Sequence, residues 1–149
     1  MLRFDFPTEI ERHPEKIVRP AMERINRDPK LTFVRRIPEV LRTWDVDFLR
    51  DLSRWLVLGK DPSLVLKYEE FGEARCLEGI PLSEAVRVLQ ILKNQVMEFI
   101  RSEVIDWSAF EVHLEEEFEF VAGQYFDWVI YHLVHGYERA ARLSSANAA

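Results

Sequence analysis

The chain has 149 residues, of which 48% are hydrophobic and 31% are charged, and its formal net charge at pH 7 is −6. This length fits one domain, and the composition is that of a globular protein rather than a disordered one. The negative charge argues against a nucleic-acid-binding protein, because neutralising phosphates needs a basic surface. Cys76 is the single cysteine, so an intramolecular disulfide and a cluster of zinc-binding thiolates are both excluded.

Targeting and membrane signals are absent from the sequence. The N-terminus lacks the apolar core of a signal peptide, and no run approaches the roughly 18 apolar residues of a membrane span. We therefore expect a cytoplasmic protein that contacts neither membrane nor nucleic acid. One helical domain is predicted over residues 1–143, followed by a disordered tail of small and polar residues at 144–149.

Helical periodicity dominates the pattern of apolar residues. No Asn-Gly or Asp-Gly turn separates runs of alternating hydrophobicity, so strand signals are almost absent. The recurring spacing of three and four residues predicts an all-α bundle of about five to six helices. The first of them covers residues 8–27 and is bent or restarted at one of its two prolines, Pro14 or Pro20.

The middle of the chain is predicted to contain three helical stretches. Residues 38–43 form a short turn of helix, and Asp45 is expected to cap a separate helix over residues 46–58. Gly59 provides the C-terminal stop of that helix. The next helix is expected over residues 62–77, because proline is favoured at the first helical position.

The second half of the chain contains the clearest patterns. Residues 81–104 have one apolar and one polar face, and residues 107–143 are compatible with a single helix about 50 Å long, with Gly123 as its weakest point. Two apolar stripes on this last helix predict burial against its own domain and against something else. The first stripe consists of Leu114, Phe118, Val121, Tyr125 and Trp128. The second consists of Phe126, Val129, Ile130, Leu133 and Tyr137.

Residues with catalytic or metal-binding spacing were sought next. A di-iron bundle usually needs Glu-x-x-His pairs, and none of the four histidines has a glutamate three residues before it. His132 and His135 share a helical face, but two ligands do not complete a metal site, which favours histidines near a helix end or at an interface. No phosphate-binding glycine loop or nucleophile elbow is present. We therefore predict a non-enzymatic protein with no catalytic residue, no metal and no cofactor.

Arg75 lies in an otherwise apolar helical pattern, where a buried guanidinium needs a carboxylate partner. Glu78 or Glu84 can supply it, and the pair would then hold the loop at residues 78–81. The other hypothesis is that Arg75 anchors an anion in a pocket between helices.

Two stretches carry a family resemblance. Residues 67–86, KYEEFGEARCLEGIPLSEAV, contain G-x-x-R and then E-G-I-P-L-x-E before a long apolar helix. This segment is similar to the N-terminal domains of RsbR-type regulators (the RsbT co-antagonist N-terminal family). Residues 125–131, YFDWVIY, with GYE at 136–138, resemble the closing helix of the same group. The resemblance covers roughly residues 45–140, and the first forty residues match loosely.

The resemblance implies a globin-like helical fold without haem, usually dimeric, that acts as a bacterial sensory or scaffold module in the regulation of stress responses. In that family the last helix leads into an output domain, which this chain lacks. We therefore expect a free-standing regulator with a protein partner, or a domain separated from its output domain. The predicted homodimer contact is the C-terminal helix, through Tyr125, Trp128, Ile130, Leu133 and Tyr137.

An alternative function remains open at this point. Both stripes of the last helix can instead be buried within one chain. The protein would then be a helical module that binds a small molecule or cofactor in a pocket lined by Trp44, Trp55, Phe71 and Phe99.

Overall fold

A computed structural model describes residues 5–36, 38–102 and 109–148. In this part of the chain there are six α-helices and no strand, so the prediction of an all-α bundle with a long final helix is confirmed. A single 3₁₀ turn, Val34–Arg36, precedes the third helix. The helices are α1 (Phe6–Arg12), α2 (Glu15–Arg27), α3 (Pro38–Leu58), α4 (Leu64–Leu77), α5 (Leu82–Ser102) and α6 (Ala109–Ala148).

The first predicted helix is two helices. The chain leaves α1 at His13 and restarts with Pro14 before α2, whereas Pro20 lies inside α2. The buried residues Ile17, Ala21 and Ile25 turn one face of α2 towards the core. Of the two prolines, Pro14 therefore marks the restart.

Helix α3 corrects the predicted boundary at Asp45. It is one helix of 21 residues, so Asp45 lies within it and does not cap a new helix. The reason is visible in the buried positions Leu41, Trp44 and Phe48, which continue one apolar face at spacings of three and four. Gly59, with φ of +82°, ends the helix as predicted.

The segment Glu78-Gly79-Ile80-Pro81 forms the turn between α4 and α5. Gly79 has φ of +77°, its N–H donates to the carbonyl oxygen of Cys76, and the N–H of Ile80 donates to that of Arg75 at 3.1 Å. This is a Schellman motif, in which glycine adopts the left-handed conformation and the next residue packs inward. Ile80 is fully buried, as this motif requires.

Helix α6 has 40 residues, which makes it about 60 Å long. It is continuous through Gly123 and runs past Leu143 to Ala148, where a disordered tail was predicted. Residues 144–146 are helical and exposed. The first residues predicted for this helix, 107 and 108, and the last two predicted for α5, 103 and 104, lie outside the described residues.

Helices α4 and α6 run parallel and form the closest contact in the bundle. A Cβ atom on Gly72 would lie 2.0 Å from the carbonyl oxygen of Leu133, and one on Gly136 would lie 1.9 Å from that of Glu69. Two glycines thus bring the backbones together. Helices α3 and α5 also pack against α6 and enclose one continuous apolar core. None of the described helices has the length and hydropathy that a membrane crossing requires.

Candidate functional site

The five residues predicted to form a dimer contact differ in their burial. Tyr125 and Leu133 are fully buried in the core of their own chain, so their assignment to a surface available to a partner is wrong. Trp128, Ile130 and Tyr137 are half-buried. The physical reason is that the glycine contact with α4, together with α3 and α5, covers a wider arc of α6 than the sequence indicated.

Trp128 and Tyr137 also have partners within the chain. The rings of Trp128 and Trp55 lie 5.0 Å apart, and the hydroxyl of Tyr137 donates to the carbonyl oxygen of Ile80 at 2.6 Å. Ile130 packs partly on the core and remains partly accessible. Of the five predicted residues, Ile130 is therefore the best suited to a contact outside the chain.

Arg75 is held as a structural residue. Its side chain is buried against two aromatic rings that contact each other, with Cζ 4.0 Å from the centroid of Trp44 and 4.3 Å from that of Phe71. Nη2 donates to Oε1 of Glu78 at 2.6 Å, which is the predicted pairing across the turn. Among the described residues, Nε has no partner. Because the guanidinium is buried against two aromatic rings and Nη2 is engaged by Glu78, Arg75 is poorly placed to bind an anion.

Glu84 serves a different part of the fold from the one predicted. Its side chain is buried, and Oε1 accepts hydrogen bonds from the backbone N–H groups of Phe33 at 3.0 Å and Val34 at 3.1 Å. The carboxylate of Glu84 therefore holds the 3₁₀ turn against the first turn of α5. The carboxylate that pairs with Arg75 is that of Glu78.

Substitution of Arg75 tests this structural role. We expect Arg75→Ala to lower the free energy of unfolding by about 2–4 kcal/mol, because the buried packing against two rings and the cation–π contacts with them are both lost. Arg75→Lys should recover little of it, since an ammonium group cannot stack as a plane. Urea denaturation measures the change. Arg50→Ala, which removes an exposed arginine, is the matched control, and equal stability of the two alanine variants would contradict the assignment.

A buried polar network joins α3, α4 and α6. The hydroxyl of Tyr68 donates to Oδ2 of Asp51 at 2.5 Å and lies 2.7 Å from the hydroxyl of Tyr125. The hydroxyl of Tyr125 also donates to the carbonyl oxygen of Phe48 at 2.8 Å. Nζ of Lys67 lies 2.6 Å from the same oxygen of Asp51. All polar groups in this set except the half-exposed Lys67 are buried, so the network fixes three helices relative to one another.

Burial sets the protonation of the two tyrosines. Desolvation is the main cause that raises the pKa of Tyr68, and the neighbouring Tyr125 and the bond to Asp51 raise it further. Desolvation also raises the pKa of Tyr125 well above its ordinary value, and the Asp51 charge adds to the effect while the contact with the Tyr68 hydroxyl opposes it. Both phenols therefore stay protonated well into the alkaline range.

The sequence analysis missed Asp51, Lys67 and Tyr68. Asp51 follows Phe48 by three residues and precedes Trp55 by four, so its position on the apolar face of α3 was a readable signal. A carboxylate at such a position needs a buried donor. Nothing in the sequence identified Tyr68 as that donor.

The predicted aromatic pocket is not reproduced as a single site. Trp44 packs edge-on against Phe71 with centroids 4.9 Å apart, and Phe99 is buried in the core. Of the four predicted lining residues, Trp55 borders an open depression of about 390 Å³ where α3 meets α4. Asp51 also lines this depression, which places the polar network beside a surface cavity.

A charged cluster lies along the contact of α4 and α6. Oε2 of Glu69 is 2.7 Å from Nδ1 of His135 and 3.6 Å from Nδ1 of His132, and Arg139 bridges Glu69 and Glu73. The hydrogen bond from His135 is the main cause that lowers the pKa of Glu69, and Arg139 contributes to the same shift. Within the described part of the chain, no group of three or more His, Cys, Asp or Glu residues could hold a metal ion. The cluster thus connects α4 and α6 through ion pairs.

One face of α6 remains partly uncovered. Its residues alternate at spacings of three and four, which is the repeat of a coiled-coil seam. Phe120 is 67% exposed, and Ile130 and Val134 are half-buried. Asp127 is the charged member and lies 3.4 Å from Nζ of Lys93. We call this face the α6 seam; it comprises Phe120, Gly123, Asp127, Ile130, Val134, Tyr137 and Ala141.

Comparison with known proteins found no match to this chain among family models, curated proteins or solved structures.

Proposed function

We propose that this protein is a non-enzymatic regulatory domain that forms a homodimer through the α6 seam and signals by protein contact. The observation that carries the proposal is a heptad-spaced, partly apolar face that is covered only in part on a helix of 40 residues. A helix of that length presents the seam over several turns, as a symmetric contact between two copies requires.

The chemistry of the seam supports a helix–helix contact. Phe120, Ile130 and Val134 provide apolar side chains, and the small residue Ala141 allows two backbones to approach. Burying the exposed part of these side chains is favourable at roughly 25 cal/mol per Å². Tyr131, which is 67% exposed beside the seam, adds an aromatic residue of the kind enriched at interfaces.

The sequence resemblance points to the same kind of function. Its motif residues have structural roles here: Gly72 contacts α6, Arg75 and Glu78 hold the turn after α4, and Glu84 holds the 3₁₀ turn. These residues build a rigid bundle and supply no reactive group. A rigid bundle with a long helix fits a domain that transmits a signal by contact.

Light scattering on the purified protein tests the proposal. We expect the wild type to have the mass of a dimer, and Phe120→Glu/Val134→Glu to have the mass of a monomer, because two charges then lie in the seam of each copy. These two residues are preferred to Trp128, whose substitution would disturb its packing on Trp55 within the chain. Circular dichroism checks that the variant is folded.

The matched control places the same charges on another exposed apolar pair. Val57 is 65% exposed and Leu66 is 61% exposed, and both lie away from the seam near the α3–α4 corner. Val57→Glu/Leu66→Glu should remain a dimer. A monomeric wild type, or a seam variant that remains dimeric, would refute the proposed interface.

A second candidate function, small-molecule binding, is favoured by one observation. The depression beside Trp55 has a volume within the range typical of ligand sites and contains a buried carboxylate. Ligand binding at this depression would be independent of dimerisation.

A further inference from the structure

The depression at the α3–α4 corner combines charged and apolar groups. Its volume is about 390 Å³, which accommodates a compact organic molecule. The lining residues include two acids and two bases, and one of the acids, Asp51, also pairs with Lys67. The lining is Asp51, Arg54, Trp55, Leu58, Gly59, Lys60, Asp61, Pro62 and Leu64.

The deepest charged group is the carboxylate of Asp51. Asp51 is 4% exposed, and both of its donors, Lys67 and Tyr68, contact Oδ2. Oδ1 accepts no hydrogen bond from any other side chain in the described part of the chain. Oδ1 is not among the buried polar atoms that lack a partner in the described part of the chain, so it is reached from the depression that Asp51 lines. Oδ1 is therefore suited to accept an N–H from a molecule in the depression.

The opposite charge lies at the rim. Arg54 and Lys60 are both exposed, and neither forms an ion pair with a described carboxylate. Asp61 is engaged locally, since its Oδ1 accepts from the backbone and the hydroxyl of Ser63, and these bonds lower its pKa. Two cationic groups therefore remain available to an anionic group on the ligand.

The surface of the depression between Asp51 and the two exposed bases is apolar. Leu58 is 80% exposed, which is high for a leucine, and Trp55 and Leu64 border the same space. Val57 and Leu66 lie on either side of this corner in sequence and are exposed as well. Exposed apolar side chains grouped beside a cavity are typical of a binding surface.

We propose that the depression binds a small zwitterion of the α-amino acid class with an apolar side chain. Its ammonium group donates to Oδ1 of Asp51, and its carboxylate lies between Arg54 and Lys60. The apolar side chain packs against Leu58 and the neighbouring walls. A zwitterion fits this arrangement because each of its charged groups meets an accessible group of the opposite sign, Oδ1 of Asp51 on one side and the two exposed bases on the other. The site does not depend on the α6 seam.

The test is an NMR titration of the ¹⁵N-labelled protein with L-leucine and L-phenylalanine. We expect saturable shifts of the Gly59 and Lys60 amides. N-acetyl-leucine lacks the ammonium group and leucinamide lacks the carboxylate, so each should bind about tenfold more weakly, the size of effect that loss of one charge-assisted hydrogen bond produces. Arg54→Gln and Lys60→Gln should weaken leucine binding by a similar factor without affecting leucinamide.

Arg50→Gln is the matched control, because Arg50 is an exposed arginine of the same helix that pairs with Asp47 outside the depression. It should bind leucine as the wild type does. The rim variants are used because Asp51→Asn disturbs the buried network. No saturable shift with either amino acid would overturn the proposal, as would binding that survives N-acetylation and both rim substitutions. The titration is repeated on Phe120→Glu/Val134→Glu, so that failure of the dimer and failure of the ligand site are distinguished.

Discussion

Gly72→Ala and Gly136→Ala should each lower the free energy of unfolding by at least about 3 kcal/mol. The added Cβ atoms would lie 2.0 Å and 1.9 Å from carbonyl oxygens of the facing helix, which is far inside van der Waals contact. Both obstacles are backbone atoms, so neither can rotate away. The two helices must separate, and the charge pairs and aromatic contacts between them must separate as well. Urea or thermal denaturation at neutral pH measures the loss.

Gly123→Ala is the matched control for these two substitutions. Gly123 also lies within α6, but a Cβ atom there would meet just Met97 Cε at 3.7 Å, an ordinary contact. Alanine has the higher helix propensity, so this variant should be more stable than the wild type by about 0.5–1 kcal/mol. If all three alanine variants had similar stability, the close approach of α4 and α6 would be wrong.

The same glycines explain why the surface of α6 was harder to predict than its helicity. Helical spacing shows which residues share a stripe, but not how closely another helix approaches that stripe. Gly72 and Gly136 interrupt helical patterns and look like weaknesses from the sequence alone. In the fold they let α4 lie so close to α6 that Tyr125 and Leu133 become core residues.

For helix α3, in contrast, the correct helix bounds were predictable from the spacing of its apolar residues. Leu41, Trp44 and Phe48 follow helical spacing without a break, and no glycine or proline separates them. The expected boundary relied on Asp45 as a capping residue, although such residues also occur inside helices. Continuity of the apolar face was the stronger signal because tertiary burial outweighs local propensity.

The candidate ligand site was predictable in part. Of the four residues predicted to line a pocket, Trp55 borders the depression, and Asp51 occupies a visible position on an apolar face. The members of the buried network could not be foreseen, because Tyr68 and Tyr125 are 17 and 74 residues from Asp51 along the chain. Long-range pairing of this kind depends on the crossing of α3, α4 and α6, which periodicity does not specify.

The buried tyrosines predict a steep loss of stability in alkaline solution. Tyr68 and Tyr125 have a raised pKa in the folded protein, chiefly because of desolvation, and an ordinary value near 10 when unfolded. The unfolded chain therefore releases these two protons first, and the folded state loses stability as the pH rises above about 10. Below that pH the contribution is complete. Each tyrosine adds about 1.4 kcal/mol per pH unit, so the pair adds about 2.7 kcal/mol per unit.

Urea denaturation at several pH values between about 10 and 11.5 measures this slope. Other groups that titrate in the range contribute a background, so the decisive quantity is the difference between variants. Tyr68→Phe/Tyr125→Phe should reduce the slope by about 2.7 kcal/mol per pH unit. Tyr131→Phe removes a phenol that is 67% exposed and should keep the wild-type slope. Equal slopes in the wild type and the double variant would mean that the two phenols reach water in the folded state, and the three-helix network would then be wrong.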